Sequence, residues 1–161
     1  MPTAAGYHVA ERRLVGQTTA VIHGCLPASD IVDWLGPAFE QVLATVRAEG
    51  LRPTGPPFAR YTAVPTPAGS FDVEAGIPVD RRLPSRQGTT VQPSRLPAGR
   101  AAVTVHVGDY SGLVAAYEAI ESWLAERSWR PSGAPWEGYL SEPDDQPEDW
   151  RTEIVQPFRT T

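Results

Sequence analysis

Hydrophobic and strand-forming residues are concentrated along residues 7–14 and again along 17–23, with Gly16 between them, and these two β-rich runs predict a pair of strands. A helical period follows. Ile31, Trp34, Leu35, Ala38, Phe39, Val42 and Val46 recur at helical spacing, with Ser29 or Asp30 as the cap and Gly50 as the stop. Pro37 falls inside that pattern, so the helix either kinks early or begins its regular part there. Strands near 57–64 and 71–78 follow. The same order then returns: strands near 89–95 and 100–107 flank a turn at Leu96-Pro97-Ala98-Gly99, and Ser111 caps a helix carrying Leu113, Ala116, Tyr117, Ile120 and Leu124. Strands near 135–141 and 150–157 close the chain; residues 80–90 read as a loop and 142–149 as an acidic, solvated turn. Two helices and about eight short strands predict an α+β domain with a largely antiparallel sheet and both helices on one face.

The recurrence extends to residue identities. Arg52-Pro53-Thr54-Gly55-Pro56-Pro57-Phe58-Ala59-Arg60-Tyr61 is echoed by Arg130-Pro131-Ser132-Gly133-Ala134-Pro135-Trp136-Glu137-Gly138-Tyr139, with five of ten positions identical. Downstream, Phe71 to Pro78 answers Trp150 to Pro157. The chain therefore reads as two strand-strand-helix-strand-strand halves, about 7–79 and 89–158, related by a pseudo-twofold axis with a central cleft. Features present in both halves, such as Tyr61 and Tyr139 or Glu74 and Glu153, read first as scaffold. The asymmetric position is more informative: Ala59 in one copy is Glu137 in the other, and strand alternation puts Glu137 and Tyr139 on one face.

Composition narrows the classes. With 161 residues the chain fits one domain of ordinary size, able to bury about 70% of its unfolded surface. Its net charge of -5 lies wholly in the last 25 residues, and with no basic stripe a nucleic-acid partner is disfavoured. All 14 bases are Arg. Cys25 has no partner for a disulfide, no secretory leader is recognisable, and no stretch approaches the roughly 18 apolar residues of a membrane span, so the expectation is a cytoplasmic protein without a membrane partner. His8, His23 and His106 lack metal-ligand spacing, and no metal or cofactor is expected. His23 and Cys25 lie two apart, poor geometry for a thiol nucleophile and its base, and His106 reads as scaffold. Trp34, Phe39, Tyr117 and Trp123 read as core, one or two of them lining the cleft.

A carboxylate set among aromatic rings has two chemical uses. Ionised, it draws cations against the rings, each well-placed ring adding about 0.5–2 kcal/mol of cation–π attraction. Desolvated, its pKa rises and it serves as a general acid or base near neutrality. The plain alternative is a Glu137 facing water on an open sheet surface.

Several segments together resemble the GyrI-like family, which includes the effector-binding domains of AraC-type and MerR-type multidrug regulators. They are Phe71 to Val79, Leu96 to Gly99, His106-Val107-Gly108-Asp109-Tyr110, Pro135-Trp136-Glu137-Gly138-Tyr139 and Asp149-Trp150-Arg151, spread over nearly the whole chain. The resemblance implies one SHS2-like domain over residues 1–161 whose cleft binds bulky, lipophilic or cationic aromatic small molecules, with Glu137 at the pocket base and Trp150 as a wall. Tyr139, Tyr61, Tyr110 and Phe71 complete the expected ligand-binding set, with Asp109 standing where the family has Pro. Nothing ahead of residue 7 would hold a helix-turn-helix, so a stand-alone binding protein is the first expectation. The alternative is a hydrolase that opens the cyclopropane ring of DNA-alkylating natural products, with Glu137 activating water and Tyr139 stabilising charge on the substrate carbonyl. A gyrase-inhibiting interaction protein is the third class.

Overall fold

The computed structural model describes residues 6–63, 69–142 and 144–160. In chain order it contains β1 (Ala10–Pro27), α1 (Ile31–Ala48), β2 (Phe58–Ala63), β3 (Ser70–Pro78), β4 (Gln92–Val107), α2 (Leu113–Glu126), β5 (Arg130–Pro131), β6 (Trp136–Tyr139) and β7 (Arg151–Arg159). The α+β class and its antiparallel pairing follow the expectation. The strand count does not: β1 runs unbroken through Gly16 (φ 79°) and β4 through Gly99 (φ 124°). Glycine tolerates the left-handed backbone that each site needs, so the chain bends there without leaving its ladder. Those two expected breaks are therefore points inside long strands, and two predicted pairs become two single elements. The expected strand end at residue 64 lies outside the described residues.

The chain divides into two compact units at these same places: Gly16–Pro97 form one, and the chain before Gly16 together with that from Ala98 onward forms the other. The sequence-based halves began at about 7 and 89, so in each case the first strand of a half crosses from one unit to the other.

In the unit of residues 16–97, β3 pairs antiparallel with β1 on one side and β2 on the other, and α1 packs on β3. The buried stripe of α1 is Ile31, Leu35, Ala38, Val42 and Val46, the spacing the sequence carries. Pro37 is accommodated inside the helix, six residues after its first. The expected side-chain cap is missing: Asp30 makes no capping hydrogen bond, and a short 3-10 turn at Ala28–Asp30 leads in instead. At the other end Gly50 adopts φ 70°, its N–H donates to Arg47 O and that of Leu51 to Val46 O, a Schellman closure. Val21, Gly76 and Phe58 stand in line across the three strands. A Cβ on Gly76 would lie 2.5 Å from both Ala20 O and Val21 Cγ1 and 3.1 Å from Phe58 Cζ, so only hydrogen fits there.

In the other unit β7 is central, pairing with β4 along one edge and with β6 and β5 along the opposite one. Helix α2 closes its core through Ala116, Ala119, Ile120, Trp123 and Leu124, packed with Ala102, Ile154 and Phe158. Arg100, held by Glu11, lies 4.7 Å above the Trp129 ring, which stacks on Phe158 at 4.9 Å. The predicted Ser111 cap of α2 is missing: the helix follows Gly112 without a side-chain cap, and the 3-10 turn Tyr110–Gly112 that leads in is closed by Asp109, whose carboxylate accepts from Ser111 N at 3.1 Å. The carboxylate accepts two local donors there, which is why it, and not the hydroxyl, closes the turn. Helix α2 ends in the same Schellman pattern as α1, but with Ser128 at φ 56° where a glycine is usual.

Two expectations follow. Gly76→Ala forces backbone apart and should cost at least about 1–3 kcal/mol, read as a fall in thermal midpoint; an unchanged midpoint would contradict the packing described. Ser128→Gly removes a left-handed penalty and should raise stability by about 0.5–1 kcal/mol in chemical denaturation.

Candidate functional site

Strand β6 carries Glu137 opposite Ile154 of β7, and Tyr139 opposite Thr152. Directly opposed residues share a face, and Ile154 belongs to the core beneath α2, so Glu137 points into that same layer. Its exposure is 7%, far from the open sheet surface of the plain alternative. Tyr117 of α2 donates to one carboxylate oxygen at 2.7 Å, and Tyr139 donates to the other at 2.9 Å. Two neutral phenols thus bond the oxygens without cancelling the charge. Tyr117 is one of the four aromatics whose spacing reads as core with one or two lining the cleft; its half-buried hydroxyl takes a partner in Glu137.

A groove of about 190 Å³ opens beside this pair, with Tyr110, Tyr139, Trp150 and Thr152 on its walls and Ser141, Glu142 and Arg151 toward solvent. Tyr110 packs at 5.0 Å on Trp150 and at 6.0 Å, edge to face, on Tyr139. Glu137 stands behind Tyr139 and is not one of the wall residues. Burial pushes the Tyr110 phenol above its ordinary pKa, and the Glu137 charge pushes it further. Tyr110 therefore stays protonated at neutral pH.

Each wall is fastened from behind. Gly108 N–H donates to Trp150 O at 2.8 Å, and the Trp150 indole N–H donates to Asp145 O at 3.0 Å. The 142–149 segment, expected to be only a solvated turn, thus holds a wall residue in place; residue 143 lies outside the described residues. His106 is buried, accepts or shares a proton with Tyr7 Oη at 2.6 Å and sits 2.8 Å from Asp109 O. A carbonyl cannot donate, so Nε2 carries the hydrogen and Nδ1 receives the Tyr7 proton in the neutral ring. His106 is scaffold for the turn that presents Tyr110.

Of the expected residues, Glu137, Tyr139, Tyr110 and Trp150 gather here. Tyr61 and Phe71 lie in the unit of residues 16–97 and form a pair of their own, edge to face at 6.1 Å. The duplicated acids are both engaged: Glu74 accepts from Ser94 and meets His23, and Glu153 pairs with Arg12. His23 thus turns to Glu74, 3.1 Å away. Among the described residues no group of three His, Cys, Asp or Glu is placed to hold a metal ion, and no helix is long and apolar enough to cross a membrane.

These features define a small-molecule-binding class of α+β domain. Residues 9–159 match the GyrI-like small molecule binding domain, and the chain belongs to that family. No curated protein matches the sequence. The crystal structure of the EcmrR C-terminal domain is similar, with a TM-score of 0.81 at 21% identity over 96% of this chain and 99% of that one. In the EcmrR–DNA complex the same likeness spans 58% of the EcmrR chain. SAV2435, solved bound to tetraphenylphosphonium, has a TM-score of 0.67 at 15% identity over 94% of each chain. An uncharacterised conserved protein from Listeria innocua has a TM-score of 0.70 at 12% identity, covering 94% of this chain and 92% of that one.

The shifted phenol is open to measurement. Because its folded pKa is raised, Tyr110 contributes stability that is complete below the unfolded pKa of about 10 and is lost as pH rises through the folded value. In an alkaline absorbance titration, Tyr110→Phe should remove a late-ionising phenol. Glu137→Gln should move that phenol only part of the way back, since burial is the larger cause. A Tyr110 titrating at its ordinary value would contradict the geometry.

Proposed function

We propose that the groove walled by Tyr110, Tyr139 and Trp150 binds bulky aromatic cations, with Glu137 supplying the opposing charge. The observation that carries this reading is the buried carboxylate bonded by two phenols directly behind an aromatic wall. Rings present their negative faces to a cation, and the low dielectric behind Tyr139 strengthens the attraction of Glu137. A groove of about 190 Å³ is smaller than the roughly 300–1,000 Å³ of sites that enclose drug-sized ligands, so it takes one or two rings while the rest of the ligand extends outward. The tetraphenylphosphonium bound by SAV2435, a protein of the same fold, is a cation of this chemistry. Both Glu137 oxygens accept phenol protons, an arrangement that favours binding over a water-activating role. Sequestration, sensing or resistance are the uses such binding serves.

Titration with tetraphenylphosphonium should quench the fluorescence of Trp150. Glu137→Gln should weaken that cation by about tenfold or more while changing a neutral aromatic of similar size by less than about twofold. Absence of quenching across phosphonium and rhodamine cations would sink the reading, and product formation that depends on Glu137 would replace it with hydrolysis.

A further inference from the structure

Two buried side-chain oxygens among the described residues lack a hydrogen-bond partner, those of Thr19 and Thr152. Thr152 is the one that lines the groove. It is 1% exposed and lies in register between Tyr139 of β6 and His106 of β4. Both neighbours are already committed: Tyr139 donates to Glu137, and the two ring nitrogens of His106 meet Tyr7 and Asp109 O. A hydroxyl buried in this way carries a desolvation cost that nothing in the described protein offsets. In a groove built for ligands, the missing partner belongs on the ligand.

The polarity of that partner follows from what stands nearby. Both Glu137 oxygens already accept from phenols and stand behind the wall, whereas the Thr152 hydroxyl belongs to a residue that lines the groove and brings a proton of its own. Resting on the reading of this groove as a site for aromatic cations, we infer that Thr152 is a specificity-determining contact whose hydroxyl donates to an oxygen acceptor, such as an aryl ketone, on the bound cation. The groove then selects among cations by a neutral polar group as well as by charge and ring area. Selectivity of this kind is large when a buried polar group is left unmatched by the wrong ligand.

Tetraphenylphosphonium and the meta- and para-acetyl derivatives of one of its rings share charge and size and differ by a single ketone. In wild-type protein at least one ketone isomer should bind about three- to tenfold more tightly than the parent cation. Thr152→Val should erase that advantage, bringing the parent cation and both isomers to within about twofold of one another, and Thr152→Ser should retain it. The thermal midpoint of Thr152→Val should be no lower than wild type, because the change removes an unmatched hydroxyl. Equal affinities for the parent and both isomers in wild type, as a water-satisfied hydroxyl would give, overturn the inference, and so does an advantage that survives in Thr152→Val. If Thr152→Val folds poorly, loss of the ketone advantage in Thr152→Ser is overturning as well. Failure of the parent cation itself to bind rejects the reading of the groove, and is thereby distinguishable from failure of Thr152 alone.

Discussion

Removing an ionised carboxylate from water costs several kcal/mol unless its oxygens find donors, and the surroundings of Glu137 are arranged to meet that demand. The donors come from two directions. Tyr139 is two residues along the same strand and shares its face, while Tyr117 must come from α2 lying above. That approach is set by α2 closing over Ala102 and Ile154 through Ala116, Ala119 and Ile120. Packing of the helix and satisfaction of the charge are therefore one constraint. The groove inherits its shape from it, because the Tyr139 ring that serves Glu137 is also a wall.

The remaining walls depend on backbone contacts made by polar loops. Trp150 is tied through its carbonyl to Gly108 and through its indole to Asp145, and Tyr110 follows a turn closed by Asp109 and backed by His106. Gly112 lets the His106 ring in, since a Cβ there would stand 2.5 Å from His106 Cε1. Aromatic side chains lose little conformational freedom when their backbones are already held, so a groove built this way presents ring area at low entropic cost. Thr152 is the exception in this fastened layer, a buried polar atom with its bonding capacity unused.

Much of this was legible in the chain. Helical spacing placed the buried stripe of α1, the internal echo singled out Glu137 against Ala59, and strand alternation put Tyr139 beside it. Readings failed where a residue's meaning depends on φ: Gly16 and Gly99 look like breaks in a sequence, yet a glycine at positive φ can also bend a strand that continues. Ser111 reads as the cap of α2, yet it lies inside the 3-10 turn that leads into the helix, where its N–H donates to the Asp109 carboxylate.

By itself the sequence determined the two helices, the α+β class and the single carboxylate that breaks the repeat, because periodicity and local chemistry are properties of neighbours along the chain. Only the tertiary structure decided which donors reach Glu137, which rings border the groove and that Thr152 is left unmatched. Those facts depend on distances of a few ångströms between residues such as Tyr117 and Glu137, or Trp150 and Tyr110. Hydrogen bonding and desolvation change over that scale, and spacing along a chain does not encode it.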